Sequence, residues 1–299
     1  MREREPNQFP VAEVAPYRLD LGADGVLPSC LNLDWDRPLP ALTGALVLLH
    51  GRLRDAMVYY RTAMTAVGGR PGWFVVVPQF LAGIDIARHG LPAHTLRWSL
   101  TGWMAGDRAE GPAQPSSFAV LDGLLAKIRR RLPGLGRLVL AGHSGGGQMV
   151  QRYALLAQEP MPVHYVVANP SSYAYLDQAR PEPTEGVPNF DRWRYGLQGL
   201  PAYAGRWTLE ALAARYAGRD VTYLLGAEDR DPAHPALDTS APARVQGPHR
   251  LARGEAFYAA LKARFPTSPH RLQVVPGVGH SGAGIFTSPE GATALFGTF

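Results

Sequence analysis

Leu138-Val139-Leu140-Ala141-Gly142-His143-Ser144-Gly145-Gly146 is the stretch on which the fold turns. An apolar run with strand character ends in a serine flanked two positions away on each side by glycine. It leads directly into Gly147-Gln148-Met149-Val150-Gln151-Arg152-Tyr153-Ala154-Leu155-Leu156, which has helical spacing. This strand–serine–helix pattern is that of a nucleophile elbow. The serine must be held in a strained backbone conformation with its hydroxyl raised into a cleft, so strand and helix must approach without intervening Cβ atoms. Gly142 and Gly146 supply that room. The same turn aims the backbone N–H of Gly145, at a helix N-terminus, at the place where an oxyanion would form.

Outward from this turn, short apolar runs alternate with helical stretches. Ala45–Leu49, Trp73–Val77, Leu138–Ala141, His164–Ala168, Val221–Leu225 and Arg271–Val275 read as buried strands, apolar on both faces. Helices are expected over Asp55–Val67, Ser117–Leu132, Gly145–Gln158 and Arg250–Phe265, with a last short one starting at the cap Ser288. Alternation of this kind implies an α/β fold: a mostly parallel, doubly wound sheet with helices on both faces. Tyr17–Leu21 and Leu31–Trp35, separated by Gly22-Ala23-Asp24-Gly25, read as antiparallel strands added at one edge. Residues 78–115 and 170–218 fit no regular unit and read as insertions of the cap or lid kind within one 299-residue domain. Their aromatic residues suit either an apolar binding wall or a satellite hydrophobic cluster.

A serine hydroxyl is a poor nucleophile at neutral pH, so Ser144 needs a base and the base needs an orienting partner. Two later stretches offer these groups just past the ends of strands, where open α/β sheets place their sites. Val221–Leu225 runs into Gly226-Ala227-Glu228-Asp229, and Arg271–Val275 runs into Pro276-Gly277-Val278-Gly279-His280. Glu228 and Asp231 lie within two residues of Asp229 and compete with it. Asp231, which precedes Pro232, reads as shaping the loop, and Asp238 as a solvated or capping residue. Ser171, Ser172 and Ser281 have no elbow and read as turn or capping serines, and His143 as a packing residue.

In the order serine, acid, histidine, the three stretches Gly142-His143-Ser144-Gly145-Gly146, Gly226-Ala227-Glu228-Asp229 and Gly279-His280 resemble the α/β-hydrolase superfamily, in its serine esterase and lipase branch. The resemblance spans roughly Ala45 to the C-terminus. It implies Ser144 as nucleophile, His280 as general base and then acid, and Asp229 as the orienting carboxylate. His50-Gly51 after the first parallel strand resembles the superfamily's oxyanion loop, which implies the backbone N–H of Arg52 as a second donor beside Gly145. The pair Arg52 and Arg54 departs from the commoner glycine-rich or aromatic loops; these side chains are expected in solvent, with a substrate carboxylate as the alternative. The activity implied is cleavage of a carboxylic ester through an acyl-enzyme. An acyltransferase using the same three residues, or a ligand-binding protein on a hydrolase scaffold, is the competing reading.

The remaining expectations are bounds. The 30 Lys and Arg residues against 25 Asp and Glu, with a pI near 9.5, include only Lys127 and Lys262 as lysines. This is arginine bias rather than a basic motif, and the cluster Arg129-Arg130-Arg131 complements a helix C-terminus, so no nucleic-acid partner is expected. His234, His249, Asp229, Asp231 and Asp238 crowd one region without metal-ligand spacing, and Gly145-Gly146-Gly147 lacks a phosphate-loop ending, so neither metal nor cofactor is expected. The partner is a small-molecule ester substrate with an apolar portion. No run suits a membrane span, Met1–Pro6 lacks a signal's apolar stretch, and the single cysteine, Cys30, leans to a cytoplasmic protein, with export after removal of a leader as the lesser alternative.

Overall fold

The computed structural model describes residues 6–158 and 162–297. Met1–Glu5, most of the stretch read for a signal, lie outside the described residues. In chain order the elements are β1 (Tyr17–Asp20), β2 (Val26–Leu31), β3 (Gly44–Leu49), α1 (Ala56–Val67), β4 (Trp73–Pro78), β5 (Leu81–Ala82), α2 (Gly83–His89), β6 (Arg97–Trp98) and α3 (Ser117–Arg131). There follow β7 (Arg137–His143), α4 (Gly145–Leu156), β8 (His164–Ala168), α5 (Leu209–Ala217), β9 (Asp220–Gly226), α6 (Ala241–Arg244), α7 (Arg250–Arg264), β10 (Arg271–Val275), α8 (Gly282–Thr287) and α9 (Pro289–Phe296).

Eight strands form one sheet in the order β1-β2-β4-β3-β7-β8-β9-β10. From β4 to β10 every neighbour is parallel, while β2 pairs antiparallel with both β1 and β4. This is the doubly wound α/β sheet with antiparallel edge strands that the sequence predicts. Burial on both faces explains the unbroken apolar runs: every residue of β3, β4 and β8 is buried. Two apolar clusters result. Leu46, Leu48, Val75, Val139 and Val166 pack under α1, α8 and α9 on one face, and Ala45, Val47, Phe74, Leu138 and Leu140 pack under α3, α4 and α5 on the other.

Three expectations are corrected. The second N-terminal strand is Val26–Leu31 rather than Leu31–Trp35. Gly25, at φ 107°, returns the chain at once so that pairing begins at Val26, and Asn32 then ends it by bonding the main chain at Trp73 and Val75 through its side chain. β10 is not buried on both faces. It is the sheet's last strand, flanked only by β9, and Arg271 and Val274 are exposed. The two long excursions are not wholly irregular: they carry the short α2 and the nine-residue α5, the latter capped by Thr208, whose Oγ accepts from the Ala211 N–H at 3.2 Å. Most of their aromatic residues enter the core, whereas Tyr195 lines the cleft beside Ser144 and Trp207 is exposed. Trp98, Trp103, Tyr173 and Tyr175 are fully buried in the core, with Trp193 and Tyr203 packed against them.

Candidate active site

β7 delivers Ser144 at φ 57°, ψ −116°, a sparsely populated conformation for a residue with a side chain. Two main-chain bonds hold it there. The Ser144 N–H donates to Ala168 O at the end of β8 (2.9 Å), and Ser144 O accepts from the Gln148 N–H as the first bond of α4 (3.0 Å). The glycines matter through what surrounds them. A Cβ at Gly146 would sit 2.5 Å from Leu49 O and 2.6 Å from His50 O, and one at Gly145 would lie 2.7 Å from Met104 Sδ and 3.0 Å from Arg52 N. The backbone nitrogen of Arg52 thus lies close against Gly145, and both residues line, with Ser144, a cleft of about 340 Å³.

The loops after β9 and β10 are laced together by main-chain bonds. The Ala227 N–H donates to Val275 O and the Glu228 N–H to Val278 O, each at 2.9 Å. Gly226 permits this approach, since a Cβ there would meet Val278 O and would lie 2.7 Å from Gly279 O. Asn169, held at φ 42° at the end of β8, adds a clamp: its Oδ1 accepts from the Gly226 N–H at 2.8 Å and its Nδ2 donates to Gly279 O at 3.4 Å.

The result brings three distant side chains into line. His280 Nε2 lies 3.0 Å from Ser144 Oγ, and His280 Nδ1 lies 2.7 Å from Asp229 Oδ2. A neutral imidazole with its proton on Nδ1 donates to Asp229 and accepts from the serine. Asp229 is buried, while its competitors Glu228 and Asp231 are exposed. Asp231 accepts from the Ala233 N–H at 2.8 Å and shapes its loop. Asp238 accepts from the Ser240 N–H at 3.0 Å and from the Tyr195 hydroxyl at 2.8 Å. Ser281 caps α8, whereas Ser171 and Ser172 are buried members of a polar network.

Several contributors escape a reading of the sequence. The guanidinium of Arg250, fully buried, donates to Asp229 Oδ1 at 3.2 Å and to Ser171 Oγ at 3.1 Å. The one signal of it is a cation in the first turn of a helix, against the dipole. Burial alone would push the Asp229 carboxyl up, but the His280 hydrogen bond and the Arg250 charge outweigh it and hold the group below its usual range. His280 is pulled below the ordinary imidazole value, by burial first; the Asp229 bond opposes this and Arg250 adds to it. Its ring lies between two other imidazoles, His143 at 4.6 Å and His234 at 4.9 Å between centroids. His143 is buried, its Nδ1 2.9 Å from the Tyr59 hydroxyl, and burial drives it well below the usual value, so it packs against His280 as a neutral ring.

Arg54 departs from the solvated position expected of it. It is fully buried at φ 63°, pairs with Asp85 at 2.7 Å and donates to Asn7 O and Phe9 O. Arg52 reaches across to Pro235 O at 3.2 Å. Among the described residues no group of three or more His, Cys, Asp or Glu side chains is arranged to hold a metal ion, and no helix is long and apolar enough to cross a membrane.

No family model matches the sequence, and no curated protein matches it. Solved structures do. The chain is similar to LpqC, a poly(3-hydroxybutyrate) depolymerase from Bordetella parapertussis, at 25% identity over 97% of this chain and 91% of that one, with a TM-score of 0.69. It is also similar to poly(aspartic acid) hydrolase-1 from Sphingomonas sp. KT-1, at 24% identity over 93% of this chain and 96% of that one, with a TM-score of 0.68. With the sheet order and the strand-end site, these likenesses show that the chain has the α/β-hydrolase fold.

Proposed function

We propose that this chain is a serine hydrolase that cleaves a carboxylic ester through an acyl-enzyme. The observation that carries the reading is the unbroken chain of short contacts from Ser144 Oγ through His280 to Asp229. His280 Nε2 takes the hydroxyl proton as Ser144 Oγ attacks the acyl carbon, and Asp229 stabilises the imidazolium. The N–H groups of Gly145 and Arg52 face the developing oxyanion. Preorganised donors of this kind contribute about 3 kcal/mol each to the transition state. Proton return from His280 expels the alcohol, and water attacking by the same route releases the acid. The two likenesses do not choose between ester and amide, one being to a poly(3-hydroxybutyrate) depolymerase and the other to a poly(aspartic acid) hydrolase; the ester is taken from the resemblance to serine esterases.

The test is turnover of short p-nitrophenyl esters together with labelling by a fluorophosphonate. The wild-type protein is expected to hydrolyse the esters and to be labelled at Ser144. Ser144→Ala should abolish both, and Asp229→Asn should lower kcat by about 10⁴-fold, by analogy with the measured loss in a serine protease, while Asp231→Asn leaves it close to wild type. Ester turnover surviving Ser144→Ala, or Asp231→Asn costing more than Asp229→Asn, would overturn the assignment.

A further inference from the structure

The cleft beside Ser144 is lined by three arginines, Arg52, Arg152 and Arg194, and one carboxylate, Asp238. Ser144, Gln148 and Arg152 stand at successive four-residue intervals along α4 and so share one face of it, and all three line the cleft. Arg152 lies about 12 Å along the helix from Ser144, and the Cα–Cβ bonds of a helix tilt toward its N-terminus, which leans this side chain toward the serine. Its guanidinium is buried and gripped on several sides. Nη1 donates to Met104 O at 3.2 Å, Nη2 to Gln148 Oε1 and Ser172 Oγ at 3.1 Å each, and Nε to Arg194 O at 3.3 Å.

Every one of these acceptors is neutral. Among the described residues Arg152 makes no ion pair, so a buried cation that cannot shed its proton near neutral pH stands beside the cleft with no counter-charge in contact. Burial, and after it the nearby charge of Arg194, pull the group down to about 9. The bond to Arg194 O fixes the main chain that carries a second guanidinium, and Arg194 also lines the cleft. Its ion pair with Asp107, at 3.4 Å, is partly exposed and weak. The carboxylate on the cleft wall, Asp238, is occupied by the Tyr195 hydroxyl and the Ser240 N–H.

We propose that Arg152 and Arg194 form an anion subsite beside Ser144, and that the preferred ester carries a free carboxylate on its acyl chain. This rests on the hydrolase reading above and narrows it. A carboxylate fits better than an apolar end because a guanidinium held in place by neutral acceptors gives a charge-assisted bond without reorganisation. It also supplies a counter-charge in direct contact, where Asp238 and Asp107 act only from a distance.

The test compares, within each protein, mono-p-nitrophenyl esters of glutarate, adipate and pimelate with the p-nitrophenyl esters of the monocarboxylic acids of equal length. The wild-type protein is expected to favour the best carboxylate ester by about tenfold in kcat/KM, with the preference shrinking as salt rises. Arg152→Met and Arg194→Ala should each reduce that ratio to within about twofold of one. Being a ratio, it is read whatever each substitution does to overall rate, and Arg194, a third exposed, carries the test if Arg152→Met fails to fold. A wild-type preference for the neutral esters, or a carboxylate preference that survives Arg194→Ala and a folded Arg152→Met, overturns the proposal. Adipate added to the Ser144→Ala protein provides a readout without turnover: it should raise Tm beyond sodium chloride at equal ionic strength. Failure to do so overturns the subsite. If no ester is turned over and yet adipate stabilises, the hydrolase reading fails and the subsite stands.

Discussion

Arg250 does at one atom what no strand or helix does: it fills the second oxygen of Asp229, leaving the first for His280. Its positive charge also helps to keep His280 neutral, the form the proposed base requires. The wild-type acid limb of kcat/KM is therefore expected below the usual histidine value of about 6.5. In Arg250→Gln two changes raise the His280 pKa together, because a repelling cation is lost and Asp229 is left as an unshared anion. The midpoint of that limb should move to higher pH. A kcat/KM profile between pH 4.5 and 8 checks this, and an unmoved midpoint refutes it. The substitution should also cost about 3–5 kcal/mol, the usual penalty for breaking a buried pair, measured by urea unfolding. Ser144, Asp229 and His280 could be picked out of the sequence because each follows a strand-like run through glycine, in a telling chain order. Arg250 could not, since it is one of many arginines on a helix whose pattern does not reveal where a first-turn side chain points.

At the scale of elements, one carboxylate joins three segments. Asp85, buried in the first turn of α2, accepts from the Val11 N–H (2.8 Å), the Ala82 N–H (2.7 Å) and the Arg54 guanidinium. It thereby anchors the N-terminal segment and the loop that carries Arg52. Asp85→Asn keeps the size but removes the charge and turns one acceptor into a donor facing N–H groups. A loss of about 3–5 kcal/mol is expected, together with a lower kcat as the Arg52 N–H loses its fixed position. Urea unfolding beside ester kinetics measures both, and wild-type stability would refute the anchoring role. Such a knot is invisible in sequence, because its members are 74 residues apart at the extreme and belong to segments without periodicity. The sheet is the opposite case. β8 and β10 are read to the residue from apolar, β-branched runs, and the start of α9 from Ser288-Pro289-Glu290. The errors fall where neighbours decide: β2 is shifted because its partner sets its register, and β10 is exposed because nothing pairs beyond it.

Across the whole molecule, the core holds histidines that cannot accept a proton without losing a bond. His270 Nε2 donates to Tyr216 O at 2.8 Å and Nδ1 accepts from the Tyr223 hydroxyl at 3.0 Å. His50 Nδ1 donates to Gly51 O at 2.8 Å and Nε2 accepts from the Phe80 N–H at 2.9 Å. Burial above all pulls both down to about 4. In the unfolded chain each titrates near 6.5, so between pH 6.5 and about 4 the unfolded state binds more protons and stability falls as pH falls. Above that window the contribution is complete, and below it the contribution is gone. Each histidine adds at most about 1.4 kcal/mol per pH unit to the slope. Urea unfolding at steps from pH 7 to 4.5 should therefore show a steady loss of stability. His270 lies at the end of the strands away from Ser144, so its replacement separates this effect from the active-site chemistry. His270→Gln lowers stability at pH 7 but should flatten the slope, by at most about 1.4 kcal/mol per pH unit. A slope unchanged by that substitution would mean that the acid sensitivity arises elsewhere in the molecule.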